Sequence, residues 1–177
     1  MFFEQAIRVL LRAVHKSAAR YGLYIKPVFS VTFDQFMKVA VQIFKNPQCA
    51  DSEDISKESS IYYCHMCKSF TLEPIDLQMP VVSSKATDLI NSKCRHCESA
   101  YQKIYGPIWS KSTFDLNFCT ALLTTINEHA DWGTQAELLA IVTELKEELV
   151  DSPLFYNIDE MSSFVKLNPP LSMLQFR

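Results

Sequence analysis

Two short cysteine pairs, Cys64-His65-Met66-Cys67 and Cys94-Arg95-His96-Cys97, constrain this chain more than any other feature. A C-x-x-C turn can set two thiolate sulfurs on one ion at about 2.3 Å, and a second turn completes a tetrahedron with no position left for water. The pattern therefore predicts one closed, structural zinc site on Cys64, Cys67, Cys94 and Cys97. The 26 residues between the pairs exceed the spacing of the simplest ribbon, so a ribbon with an insert over Met79 to Asn91 is expected. The alternative is two disulfides or four buried thiols. It is weaker, because Met1 leads straight into a helical pattern with no secretory signal, and 177 residues can build a core without disulfide staples. Cys49, in a polar Asn-Pro loop, and Cys119, on an apolar helical stripe, have no partner at ligand spacing and read as inert thiols. His65 and His96 could replace a cysteine as ligand, but with four cysteines at hand they are expected to point outward.

Apolar residues make up 48% of the chain, which marks it as globular. No apolar run approaches the length of a membrane span, so no membrane partner is expected. A net charge of −3 and a pI near 5.8 argue against a uniformly basic nucleic-acid binder, yet leave room for a local basic stripe. One candidate exists. Ile7, Leu10, Leu11, Val14 and Ala18 form the apolar face of a helix over about residues 2–20, and Arg8, Arg12, Lys16 and Arg20 recur every four residues beside it. The stripe reads either as a phosphate contact or as a solvated helix face with a Glu4–Arg8 pair.

Gly22 and Pro27 then punctuate the chain. Val28 to Phe44 is rich in β-branched and aromatic residues and predicts one long strand, or two strands around Asp34, which reads as a buried functional carboxylate or, as expected here, a paired structural one. The polar run from Asn46 to Ser60 predicts a linker, Ile61-Tyr62-Tyr63 a strand, and Tyr105-Gly106-Pro107-Ile108-Trp109 a turn packed against the ribbon. Leu116, Cys119, Leu122, Leu123 and Ile126 mark one amphipathic helix. Thr134 to Glu137 reads as the capping box of another, whose core face is Leu138, Ile141, Val142, Leu145 and Leu149. Leu154-Phe155-Tyr156 could form a short strand. The three glycines are isolated, so no Gly-rich turn can cradle a nucleotide, and no hydrolase or P-loop motif is present.

The helix ending in Ala19-Arg20-Tyr21, the segment Pro27-Val28-Phe29-Ser30-Val31 followed by Asp34, the two C-x-x-C pairs, Gly106-Pro107-Ile108-Trp109 and Pro153-Leu154-Phe155-Tyr156 occur in an order that resembles the C-terminal half of the tRNA N2,N2-dimethylguanosine methyltransferase family. The resemblance covers nearly the whole chain. It implies an enzyme that uses S-adenosylmethionine to dimethylate a guanosine at position 26 of tRNA. The family's Gly-containing cofactor loop and Asp-Pro-Phe-Gly motif do not occur, so no catalytic or cofactor-binding residue carries over, and the chain by itself is expected to be inactive. The sequence looks partial at both ends, starting late in the catalytic domain and stopping as Pro169 to Gln175 opens a further helix. The family's knuckles generally carry glycine after the second cysteine. Lys68 and Glu98 stand there instead, which puts the turn geometry in question.

The expected architecture is α+β: residues 1–45 as the end of a Rossmann-like methyltransferase domain, 46–110 as a linker and zinc-ribbon-like segment, and 111–177 as a helical C-terminal domain for which a winged-helix-like arrangement is one option. The expected partner is tRNA, with no DNA, at an intracellular site in nucleus, cytoplasm or mitochondrion. The competing expectation is a non-enzymatic zinc-ribbon module that binds protein.

Overall fold

The computed structural model describes residues 2–33, 36–45, 58–75, 93–99, 103–148, 154 and 158–167. Helix α1 (Phe2–Ala19) carries Glu4 in its first turn and Lys16 in its last, charges that complement the helix dipole. Its inner face follows positions 7, 11, 14, 15 and 18. Ile7 and Leu11 are buried with Ile25 and Trp109, and Val14, Ala18, Val39 and Val41 pack around them. Leu10, expected on this face, is instead 38% exposed, since it lies about 100° around the helix from Leu11. His15 takes a core place and meets the Trp109 ring edge-on, with centroids 5.4 Å apart. Gly22, with φ of 65°, ends the helix in the left-handed conformation that glycine adopts without a Cβ clash.

Strands β1 (Leu23–Phe33) and β2 (Phe36–Lys45) form an antiparallel hairpin, so the two-strand alternative holds. Asp34 lies outside the described residues. Pro27 does not break the chain but sits inside β1, where the register slips between Pro27 and Phe29. A bulge is where a strand tolerates a residue without an N–H.

A second sheet has the order β4-β3-β5, antiparallel throughout, from β3 (Glu58–Tyr63), β4 (Phe70–Pro74) and β5 (Lys103–Trp109). Two expectations fail here. Strand β3 begins at Glu58 and not at Ile61, and the segment from Tyr105 to Trp109 is strand, not turn. Its Gly-Pro pair serves a close approach: a Cβ on Gly106 would stand 3.1 Å from Ser59 O and Ser60 Cα, where the pairing of β3 with β5 is irregular. The peptide bond between Gly106 and Pro107 is cis. Tyr105 and Ile108 pack on the sheet with Ile61, Phe70, Leu72 and Leu154, as the packing expectation has it, but Trp109 turns into the α1 core.

Helices α2 (Leu116–Glu128) and α3 (Gln135–Glu147) pack on each other through Cys119, Ile126, Val142 and Leu145, with Phe114 and Phe29 joining the cluster. Leu116 is 44% exposed and does not join it. Asp115 caps α2 by accepting from Phe118 N at 2.9 Å, and it also pairs with Lys26 on β1. The Lys26 ammonium and the Phe118 N–H hold its carboxyl below the usual range. The capping box at Thr134 does not form, for the threonine side chain makes no cap bond. Gln135 Nε2 instead donates to Ile126 O at 2.9 Å and closes the α2–α3 corner. Leu149, Phe155 and Tyr156 lie outside the described residues. Leu154 has φ of 69°, which is incompatible with a strand, and a short helix α4 (Ile158–Phe164) follows.

Arg8 joins these parts. Its guanidinium donates to Trp109 O at 3.0 Å and Lys111 O at 2.9 Å, and it pairs with Glu4 at 2.8 Å, while Glu4 also accepts from Leu154 N at 2.8 Å. Arg8 is only 5% exposed. Arg8→Met should therefore strand two carbonyls and a carboxylate and destabilise the chain by about 3 kcal/mol. Arg8→Lys should recover only part of this, because an ammonium lacks the planar fork that reaches all three acceptors. Arg20→Met, at an exposed position, should change stability by less than about 0.5 kcal/mol. Denaturant unfolding of the three variants measures the difference; equal midpoints for Arg8→Met and Arg20→Met refute the hub role.

Candidate metal centre

Each cysteine pair sits in the same backbone turn. Lys68 N donates to Cys64 O at 2.9 Å and Glu98 N to Cys94 O at 2.9 Å, while Cys64 N and Cys94 N donate to Ser69 O and Ser99 O at 2.9 and 2.6 Å. The turn closes through a left-handed residue, Lys68 at φ of 63° and Glu98 at φ of 61°. The geometry that glycine favours is thus kept by two residues that bear a Cβ, at a local cost of about 1 kcal/mol each. Strands β3 and β4 flank the first turn and hold it rigidly.

The two turns face each other. The Sγ atoms of Cys64, Cys67, Cys94 and Cys97 all lie within 4.8 Å of one another, with Cys64–Cys97 and Cys67–Cys94 each at 3.5 Å. All four are free thiols, far beyond the roughly 2.05 Å of a disulfide bond, so the disulfide alternative is not what the chain builds. A tetrahedral ion with sulfurs at about 2.3 Å requires sulfur–sulfur edges of about 3.8 Å, and the cluster fits that requirement. His65 and His96 are exposed and stand outside it, as expected, with His65 edge-on to Tyr63.

Sequence spacing misses two participants. Ser69 Oγ lies 3.0 Å from Cys67 Sγ and 3.4 Å from Cys94 Sγ, and Ser99 Oγ lies 2.8 Å from Cys97 Sγ and 3.1 Å from Cys64 Sγ. The signal was present as a repeat, C-x-x-C-x-S in both turns. Burial, backbone N–H groups and these hydroxyls together shift the thiols. Burial alone would push the Cys94 thiol up, but hydrogen bonds from Ser69 and from the His96 and Cys97 N–H groups outweigh it and bring it down to about 6. Cys64 is lowered in the same way, against burial, by Ser99 and the local backbone. Cys67 goes the other way, to about 11, through burial and proximity to Cys94 and Cys97. Cys119 is buried in the α2–α3 core, its thiol pushed up by burial and by Asp115, which agrees with an inert role. Cys49 lies outside the described residues.

The basic row of α1 divides into three environments. Arg8 is the buried hub, and the Glu4–Arg8 pair is formed with the arginine buried and the carboxylate partly exposed. Arg12 Nε donates to Glu58 Oε2 at 2.9 Å, and the Lys16 ammonium lies 2.9 Å from Oε1, off the hydrogen-bonding direction and so a Coulombic contact. Glu58 is 3% exposed, so two half-exposed cations flank a buried carboxylate at the foot of β3. Arg20 is exposed and makes no ion pair among the described residues.

The family model described as N2,N2-dimethylguanosine tRNA methyltransferase matches residues 1–175. The chain belongs to this methyltransferase family. It is 33% identical over 187 aligned positions to the tRNA (guanine(26)-N(2))-dimethyltransferase of Drosophila melanogaster, covering 98% of this chain and 32% of that protein. The human enzyme of the same name is 28% identical, over 98% of this chain and 27% of its own length. The mitochondrial enzyme of Saccharomyces cerevisiae is 26% identical, over 95% and 32%. This member of the methyltransferase family thus spans about a third of the length of the relatives it matches. The structure of Trm1 from Pyrococcus horikoshii with S-adenosyl-L-methionine superposes with a TM-score of 0.67 at 21% identity, over 91% of this chain and 37% of that one, so the fold is shared.

Two outcomes follow from the turn geometry and the thiol acidities. Lys68→Gly and Glu98→Gly should each stabilise the chain by up to about 1 kcal/mol, because the left-handed conformation is then unstrained; thermal unfolding checks this, and destabilisation by either change refutes it. A tetrahedral ion needs four thiolates, and burial beside Cys94 and Cys97 pushes the Cys67 thiol up to about 11, so if the cluster takes up zinc near neutral pH the uptake should release protons and strengthen as pH rises. Calorimetric heats that shift with the ionisation enthalpy of the buffer measure the release. Identical heats in all buffers contradict it.

Proposed function

We propose that this chain is the tRNA-gripping part of a tRNA (guanine(26)-N2)-dimethyltransferase, braced by one structural zinc ion on Cys64, Cys67, Cys94 and Cys97. In this reading residues 1–45 are the closing edge of the methyltransferase domain, 46–110 a linker and zinc-ribbon-like segment, and 111–177 a helical domain of winged-helix-like type. The observation that carries the reading is the Arg12–Glu58–Lys16 cluster, which ties the cation row of α1 to the strand that leads into the first cysteine turn. A grip on phosphate needs cations held in fixed register, and family membership makes tRNA the partner to consider. Arg12, Lys16 and Arg20 supply the exposed charge; the buried Arg8 fixes the helix that presents them. The bound zinc supplies a closed crosslink without redox chemistry. The methyl donor, S-adenosylmethionine, is assigned to the part of the family's length that this chain does not span, and the chain alone transfers no methyl group. An intracellular site follows from that activity.

The competing reading, a protein-binding module, draws support from a cavity of about 410 Å³ between the hairpin and helices α2 and α3, where Phe29, Leu122, Ile141 and the 41%-exposed Trp132 line an apolar wall. Binding of tRNA separates the two readings.

Replacing Arg12 or Lys16 by glutamate would set like charges on the buried Glu58 and confuse folding with binding. The cleaner variant is Arg12→Gln, Lys16→Gln and Glu58→Gln together, with Arg20→Gln added, which removes the cations and their buried counter-charge at once. Affinity for tRNA should fall, and the slope of log affinity against log salt should flatten by about one for each phosphate that is no longer neutralised. Unchanged affinity and slope return the row to a structural role. The chain should also show no saturable heat on titration with S-adenosylmethionine, having no Gly-rich cofactor loop; micromolar binding overturns that assignment.

A further inference from the structure

We propose that Ser69 and Ser99 are positioning residues of the metal site, each hydroxyl holding the leading cysteine of the opposite turn at ligand distance. The inference rests on the zinc reading and goes beyond it, from the four ligands to what arranges them. Within one turn the backbone already fixes both cysteines, through the N–H bonds that close on Cys64 O and Cys94 O. Between the turns the means are fewer. Arg95 reaches Glu73 on β4 at 2.9 Å, but its side chain is 71% exposed, and an exposed pair of this kind holds little. Close contacts that do cross between the turns are those among the sulfurs and from the two serines.

Those serine links are reciprocal. Ser69, two residues after Cys67, reaches Cys94 of the second turn; Ser99, two residues after Cys97, reaches Cys64 of the first. Both serines stand immediately after the left-handed residue that closes the turn, so the same backbone device aims both hydroxyls across the gap. Each hydroxyl has one proton to donate and two sulfurs within reach, so it can stabilise either as a thiolate. Cys64 and Cys94, the targets across the gap, are the two most buried sulfurs of the cluster. Backbone N–H groups of their own turns already donate to these two sulfurs, and the serine hydroxyls add a donor that comes from the opposite turn. Partners of metal ligands set both orientation and affinity, and their loss typically weakens metal binding 10–100-fold.

The test uses the full chain and the variants Ser69→Ala, Ser99→Ala, the double alanine variant and Ser→Thr at each position. Zinc affinity is read by competition with a chromogenic chelator. Cobalt(II) in place of zinc reports the thiolate-to-metal charge-transfer band, which moves to lower energy when a thiolate loses a hydrogen bond although the ligand set is unchanged. We expect each alanine variant to bind zinc about tenfold more weakly, the double variant more weakly still, and the cobalt band to move to longer wavelength. Threonine, which keeps the hydroxyl, should restore the band position. Alanine variants with wild-type affinity and an unshifted band overturn the inference while leaving the metal site standing. A wild-type chain that takes up neither ion overturns the metal reading and this inference together.

Discussion

The meeting of two cysteine turns is the constraint on which the middle of this molecule depends. Strands β3, β4 and β5 make a sheet whose described apolar cluster is small, centred on Ile61, Ile108 and Leu154. A three-stranded sheet with so little to bury is marginal unless something else closes it. Four sulfurs within 4.8 Å of one another offer that closure, because metal binding in a small domain is also folding free energy. The same turns place hydroxyls on the sulfurs, so the spacing of the sulfurs and their hydrogen bonds come from one repeated backbone unit.

The sheet is then fastened to the rest by polar groups as much as by apolar ones. Trp109, the last residue of β5, enters the core of α1, and its carbonyl accepts from the buried Arg8. Glu58, the first residue of β3, takes Arg12 and Lys16. Glu58 and Trp109 are register partners across β3 and β5, so one end of the cysteine-bearing sheet is tied to one helix at two adjacent points. The core containing Trp109 joins the first and second of the segments expected from sequence, and the core containing Phe29 joins the first and third.

A helix surface that looks like a binding stripe can be internal at one end for a plain reason. Four cations spaced by four residues fall on one side of a helix, but whether that side faces water depends on what folds against it. Here β5 covers Arg8 and β3 covers part of Arg12 and Lys16, so the same residues pass from interior bracing to exposed charge along the helix axis.

The sequence by itself determined the features that depend on local covalent pattern. The cysteine pairs, the helix over residues 2–20, the strand character of residues 28–44 and the two helices α2 and α3 were legible because period and spacing are properties of neighbouring residues. The resemblance carried by the order of its motifs also placed the family. What tertiary structure alone decided were the partners of groups distant along the chain: Arg8 on the carbonyls of Trp109 and Lys111, Glu58 between two cations of α1, His15 against Trp109, and Ser69 and Ser99 reaching across to the opposite cysteine turn. Gly106-Pro107 marks the limit most clearly. Its composition predicts a turn, yet the backbone of β3 approaches to 3.1 Å of where a side chain would be, and that close approach, together with a φ of 130°, explains why glycine stands in the middle of a strand.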